Sequence, residues 1–194
     1  MATPRIIAGS AKGMRLQAVP GDSTRPVTDR VKESVFNIIG NDIVGASMFD
    51  LFGGTGSIGL EALSRGAVYA RFSDANKNAY KTLQANVQRT RFENQSKVIL
   101  GDIFNILRTI PDREFEYIYV APPQYKEMWQ KTMRILDQND GWLTDDGWII
   151  VQIHPVEIET LELDNFEVFD ERKYGSTALL FYERKQTLNL DILS

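Results

Sequence analysis

At 194 residues, 43% hydrophobic and 25% charged, the chain is long enough for one well-buried domain and short for two, and a net charge of −4 with pI near 5.1 argues on its face against a polyanion partner. Zero cysteines exclude disulfides and thiolate metal sites, and a single histidine, His154, argues against a histidine-based metal or acid–base centre. No apolar run approaches the roughly 18 residues that span a bilayer, and Met1-Ala-Thr-Pro-Arg5 lacks the apolar core of a signal peptide, so a cytoplasmic monomer without membrane or metal partner is expected.

Residues 4–20 alternate apolar and polar around Gly9-Ser-Ala-Lys-Gly13, which predicts a hairpin, or two short strands, joined by a mobile basic loop and appended before the core. Thr24-Arg-Pro-Val-Thr-Asp29 then leads into a helix capped at Thr28 or Asp29, with Val31, Val35, Ile38 and Ile39 on one face and Arg30 and Lys32 assigned to its polar face. Six cations in residues 1–40 (Arg5, Lys12, Arg15, Arg25, Arg30 and Lys32) oppose three carboxylates, so this segment carries +3 and the remainder −7. A basic surface on an acidic body points to nucleic acid, although a merely solvated face accounts for the same charges.

From residue 47 the pattern becomes strand then helix, four times over: 47–51 and 57–65, 68–73 and 75–89, 97–100 and 102–109, 116–120 and 126–137. That alternation predicts an α/β fold with a parallel sheet. A fifth strand over 148–153 follows the Asp145-Asp-Gly147 turn, and 166–173 and 177–182 read as a terminal antiparallel hairpin around Tyr174-Gly175-Ser176. The tail from Gln186 is expected to be loosely held.

The chain is organised around Phe49-Asp-Leu-Phe-Gly-Gly-Thr-Gly-Ser-Ile-Gly-Leu60. Glycines at 53, 54 and 56 remove Cβ atoms that would keep a ligand from the backbone, and the helix that follows offers unpaired N–H groups. A nucleotide-like ligand is expected there. Gly54-Thr-Gly56-Ser-Ile-Gly59 is also a literal G-x-G-x-x-G, so NAD competes with S-adenosylmethionine.

In an open α/β sheet the ligand lies across the carboxyl ends of the strands, which here carry Asp50 with Phe52 and the glycines, Ser73-Asp74, Gly101-Asp102, and Ala121-Pro-Pro-Gln-Tyr125. Asp74 is placed to accept from ribose hydroxyls and Asp102 from an adenine amine, roles that exist for both cofactors. Asp50 would repel a pyrophosphate but help to hold an ammonium group, and Pro122-Pro123 makes a stiff loop where a dehydrogenase needs a proton donor. Both features favour S-adenosylmethionine.

These motifs resemble the bacterial guanine-N2 methyltransferases of small-subunit (16S) ribosomal RNA, the RsmD-like family, through about residues 5–183. The resemblance is carried by Arg5-Ile-Ile-Ala-Gly9, Lys12-Gly13, Thr24-Arg-Pro-Val-Thr-Asp-Arg-Val-Lys-Glu33, Phe36-Asn37, Asp50 through Gly66, and Asn86. It implies a Rossmann-like methyltransferase fold with a mostly parallel seven-stranded sheet, a C-terminal antiparallel hairpin and an N-terminal β-hairpin extension. It divides the chain into an RNA-contacting extension (1–40), a methyltransferase domain (41–185) and a tail (186–194). Implied as cofactor residues are Asp50, Phe52, Gly53, Gly54, Gly56, Asp74, Asp102 and Ala121; as catalytic residues Pro122, Pro123, Gln124 and Tyr125; and as RNA contacts Arg5, Lys12, Arg15, Arg25, Arg30 and Lys32. The implied partner is ribosomal RNA or the small ribosomal subunit. The family's loop reads Asp-Pro-Pro followed by Tyr or Phe, whereas this chain has Ala121-Pro-Pro-Gln124-Tyr125. An exocyclic amine is a poor nucleophile that needs acceptors to aim its lone pair, and one acceptor is missing here. A fold retained for RNA binding or ribosome assembly without catalysis is therefore the rival reading, and an NAD-dependent oxidoreductase a more distant one.

Overall fold

A computed structural model describes residues 3–21, 27–124 and 126–186. Its strands are β1 (Ser47–Asp50), β2 (Tyr69–Asp74), β3 (Ser96–Leu100), β4 (Phe115–Val120), β5 (Leu143–Ile153), β6 (Phe166–Tyr174) and β7 (Thr177–Arg184). Its α-helices are α1 (Asp29–Ile39), α2 (Ser57–Ser64), α3 (Lys77–Thr90), α4 (Ile103–Leu107) and α5 (Met128–Gln138). The seven strands form one sheet in the order β3-β2-β1-β4-β5-β7-β6. The first five run parallel, and β7 lies antiparallel between β5 and β6. Strand order reverses between β1 and β4, which opens a crevice at their carboxyl ends.

Side chains alternate across each strand, so the sheet separates two cores. Met48, Phe72, Tyr119, Ile150 and Phe181 pack with α1, α2 and α3 on one face. Phe49, Ile118, Val120, Ile149 and Leu180 pack with α4 and α5 on the other. Every residue of α2 is buried, because the N-terminal segment covers the side turned away from the sheet with Ile6, Ala11 and Leu16.

The expected N-terminal hairpin is short: around a turn at 9–13, Leu16 N–H donates to Pro4 O (2.7 Å), Ile6 N–H to Met14 O (2.9 Å) and Gly13 N–H to Ile6 O (2.9 Å), with an antiparallel bridge from Arg5 to Arg15. Side chains fix this hairpin to the core. Glu61 of α2, wholly buried, accepts from the backbone N–H groups of Ile7 (2.8 Å) and Ala8 (2.9 Å) and pairs with Arg65 (2.9 Å) and Lys32 (3.6 Å). Ser10 N–H donates to Ser64 O (2.7 Å), so the turn caps the carboxyl end of α2. The approach is so close that a Cβ at Gly9, which has φ +79°, would stand 1.7 Å from Ser64 O. Asn86 of α3 exchanges bonds with Gln17 (2.7 and 3.0 Å) and donates to Thr55 O (2.8 Å), tying the same segment to the glycine turn.

Of the two expected caps for α1, Thr28 serves, accepting from Val31 N–H. Two local expectations change. Strand β5 begins at Leu143 instead of 148, because its pairing with β4 shifts register between Phe115 and Tyr117 and absorbs 144–147 as an irregularity within the strand. Lys32 does not belong to a polar face. It is fully buried, donates to Arg5 O and lies beside Glu61; burial lowers its pKa while Glu61 opposes that shift.

Replacing Glu61 with Gln would leave the Lys32 ammonium buried without a counter-charge, so a loss of about 3–5 kcal/mol of unfolding free energy is expected in urea titration. A loss under about 1 kcal/mol would show that the pair does not anchor the segment.

Candidate cofactor and acceptor site

The first three strand ends are bonded to one another before any ligand is considered. Asp50 ends β1 almost wholly buried and accepts from the backbone N–H groups of Phe52 and Gly59. Gly53 N–H donates to Ser73 O (2.8 Å), and Gly54 N–H donates to the Asp74 carboxylate (3.0 Å). The second Asp74 oxygen accepts from Asn76 N–H (2.8 Å), and Gly101 N–H reaches Asp74 O (3.0 Å). The glycine turn, the β2 end and the β3 end thus form one continuous rim. Gly56, with φ +79°, turns the chain into α2.

Two of the glycines also have a packing reason that the sequence does not suggest. A Cβ on Gly53 would stand 2.5 Å from Leu83 Cδ1, and one on Gly56 3.2 Å from Leu60 Cδ1. Their missing side chains make room for α2 and α3 to pack under the turn.

Burial, followed by the nearby Asp74 charge, pushes the Asp50 carboxyl up to about 7. Two carboxylates beside a backbone turn suit a ligand carrying positive charge and hydroxyls, and disfavour a pyrophosphate. From Asp102 past Asp74 and Asp50 to Ala121 is three strand spacings, roughly 14 Å, enough for an extended nucleoside joined to an amino acid.

Around that rim, Phe52 is half-buried against the α4 and α5 core, and exposed Asp102 caps α4 by accepting from Phe104 N–H (2.9 Å). Beyond β4, Ala121, Pro122 and Gln124 are half-buried and Pro123 is exposed, while Tyr125 lies outside the described residues. Ala121 packs against the α1 to α3 core. Beside this loop stands a residue the sequence reading passed over, Gln152. Val120 pairs with Val151, so Gln152 is the next residue along β5, and its amide oxygen accepts from the Tyr119 hydroxyl. Its sequence signal was a lone amide inside the apolar run 148–153.

Of the six predicted basic residues, four are exposed, one is interior and one lies outside the described residues. Arg5 is exposed, paired with Asp29 (2.8 Å) and bridged to exposed Arg15, and Lys12 is exposed on the turn that caps the far end of α2. Eight residues of helix, about 12 Å, separate that turn from the glycine turn. Arg30 is exposed on α1 with its guanidinium 5.5 Å from the Tyr174 ring centroid. Lys32 is interior, and Arg25 lies outside the described residues.

Fold and rim together are those of an S-adenosylmethionine-dependent methyltransferase. Residues 4–183 match the family described as "Conserved hypothetical protein 95", and the chain belongs to this family, the RsmD-like methyltransferases. The chain is 38% identical over 184 residues to YlbH of Bacillus subtilis, spanning 93% of this chain and 99% of that protein. It is 30% identical over 181 residues to Ribosomal RNA small subunit methyltransferase D of Escherichia coli, spanning 93% and 90% respectively. The solved structure of yhhF from Escherichia coli superposes with a TM-score of 0.83 at 30% identity, over 95% of this chain and 99% of that one.

The raised Asp50 carboxyl gives a pH prediction for the ligand-free protein. A folded-state value near 7 against an ordinary 3.8 means that folding favours the protonated form, so this contribution to stability is full below pH 4 and is lost as pH rises through 7. The loss is on the order of 4 kcal/mol. Asp50→Asn removes it, so urea unfolding of wild type and variant should diverge in the variant's favour between pH 4.5 and 7.5. Parallel pH curves would contradict the assignment.

Proposed function

We propose that the protein transfers the methyl group of S-adenosylmethionine to the exocyclic N2 amine of a guanine in small-subunit ribosomal RNA. The observation that carries this reading is the bond from Gly54 N–H to the Asp74 carboxylate, which holds a ribose-binding acid against the glycine turn and beside a second, buried carboxylate. Membership of the RsmD-like family supports it, as does the likeness to an Escherichia coli protein named for small-subunit ribosomal RNA.

Asp74 would accept from the ribose hydroxyls with the lone pairs its two backbone donors leave free. Asp50, beneath the turn, favours the cationic amino-acid end, and Asp102 receives the adenine amine. When bound, S-adenosylmethionine supplies an electrophilic methyl on a sulfonium. The Pro122 carbonyl accepts one N–H of the guanine amine and the Gln124 amide oxygen the other, aiming the nitrogen lone pair at that methyl. Methyl transfer would form the C–N bond as the C–S bond breaks, releasing the neutral thioether of S-adenosylhomocysteine, with the surplus amine proton passing to water. Tyr125 stacks on the extruded base, and Pro123 stiffens the wall of the loop. Arg5, Lys12, Arg15, Arg25 and Arg30 would contact the RNA backbone.

Asp74→Ala should weaken S-adenosylmethionine binding by about ten- to a hundredfold in titration calorimetry, the scale of hydrogen bonds to a charged group. Unchanged affinity would remove Asp74 from the site.

In single-turnover transfer to undermethylated subunits, Gln124→Ala should slow the reaction with cofactor affinity intact. Ala121→Asp should bring no gain, because Ala121 packs against an apolar core where a carboxylate is costly to bury. A rise of roughly a hundredfold in Ala121→Asp would instead mean that the wild-type loop lacks a needed acceptor. No transfer by any of the three, with RNA still bound, would favour a binding protein.

A further inference from the structure

We propose that the groove between α1 and the carboxyl end of β6 binds one unpaired base of the RNA, beside the guanine that is methylated. The inference rests on the function proposed above and adds a second recognition site to it. Arg30, Glu33, Ser34 and Asn37 recur at steps of three and four, so they share one face of α1. Arg172 and Tyr174 alternate on β6 and share one face of that strand. Together they line an open pocket of about 360 Å³.

The pocket is ordered internally. The Tyr174 hydroxyl is hydrogen-bonded to the Ser34 hydroxyl, which fixes the ring, and the Arg30 guanidinium lies over that ring with 5.5 Å to its centroid. A guanidinium held by an aromatic face offers a flat stacking surface. Two cations, Arg30 and Arg172, are balanced by Glu33 within the pocket and by Asp170, which pairs with Arg172 at 3.1 Å. A site with no net charge is a poor grip for phosphate. Carboxylate, amide and guanidinium edges around a planar surface are instead what reads the edge of a single-stranded base.

Its position fits that use. Gln152, level with the start of the 121–124 loop, pairs with Leu179, and Leu179 pairs with Arg172. Ala121 and Leu179 pack on the same side of the sheet. The groove therefore lies on the face that Ala121 shares, three strand spacings or roughly 14 Å away, within reach of a short single strand passing the methyl-transfer loop.

The test is fluorescence anisotropy with four single-stranded RNA decamers, each enriched in one base, on wild type, Glu33→Gln, Asn37→Ala and Lys12→Ala, with thermal melting to verify folding. Wild type should prefer one decamer by about tenfold, the scale of one well-read base. Glu33→Gln and Asn37→Ala should compress that preference to within about threefold while keeping the dependence of affinity on salt. Lys12→Ala should keep the preference and flatten the salt dependence, as a phosphate contact does. The proposal is overturned if wild type binds all four alike, if both groove variants keep the preference, or if they weaken every decamer equally with a shallower salt slope. Failure of the wild type to bind either decamers or small subunits would remove the RNA reading as well. Binding and methylation of subunits with no effect of the groove variants would remove the groove alone.

Discussion

The position of the glycine turn depends on a buried carboxylate at the other end of a short helix. Glu61 takes two backbone N–H groups from the N-terminal segment, the guanidinium of Arg65 and the Lys32 ammonium from α1, with the carboxylate and the ammonium both shut off from water. A buried charge is tolerated only when its lone pairs are satisfied, and Glu61 meets that condition by recruiting donors from three parts of the chain. The consequence is that α2 is clamped between the sheet and residues 4–16, and the turn Gly53 to Gly56 that leads into it is fixed with it. Asn86 adds a second tie from the same segment to Thr55. The N-terminal residues are therefore part of what sets the cofactor rim, and not only a surface added in front of it.

Much of this was legible in the sequence, and the parts that were not have identifiable reasons. The β/α alternation and the terminal hairpin follow from periodicity and turn chemistry, and the strand-end acids Asp50, Asp74 and Asp102 follow from where ligands bind in open sheets. Lys32 reads as a surface cation by residue type, whereas its spacing puts it inside. It stands three before Val35 and four before Phe36, on the buried face, and a lysine there requires an acid such as Glu61 that no local pattern reveals. Gly53 was legible as a glycine but its packing reason was not, since Leu83 comes from a helix thirty residues later. Gln152 was hidden because its significance depends on strand order, which places β5 next to β4.

The loop after β4, proposed above to position the guanine amine, carries Ala121 where the resemblance implies an aspartate. Ala121 packs against the apolar core that includes Tyr119, and Gln152 on the neighbouring strand accepts from the Tyr119 hydroxyl. Neutral amides position an amine without the cost of burying a charge beside the apolar core. The α1 and β6 groove continues the same edge of the sheet, so cofactor rim, transfer loop and groove follow one line along the carboxyl ends of the strands.

The account is tested most directly by identifying the product. Small subunits lacking the modification would be incubated with the wild-type protein and methyl-labelled S-adenosylmethionine, and their RNA digested to nucleosides for mass spectrometry. The account predicts that the label appears in N2-methylguanosine and in no other nucleoside. Label in a different methylated nucleoside, or none in RNA while the protein binds both cofactor and subunit, would contradict it.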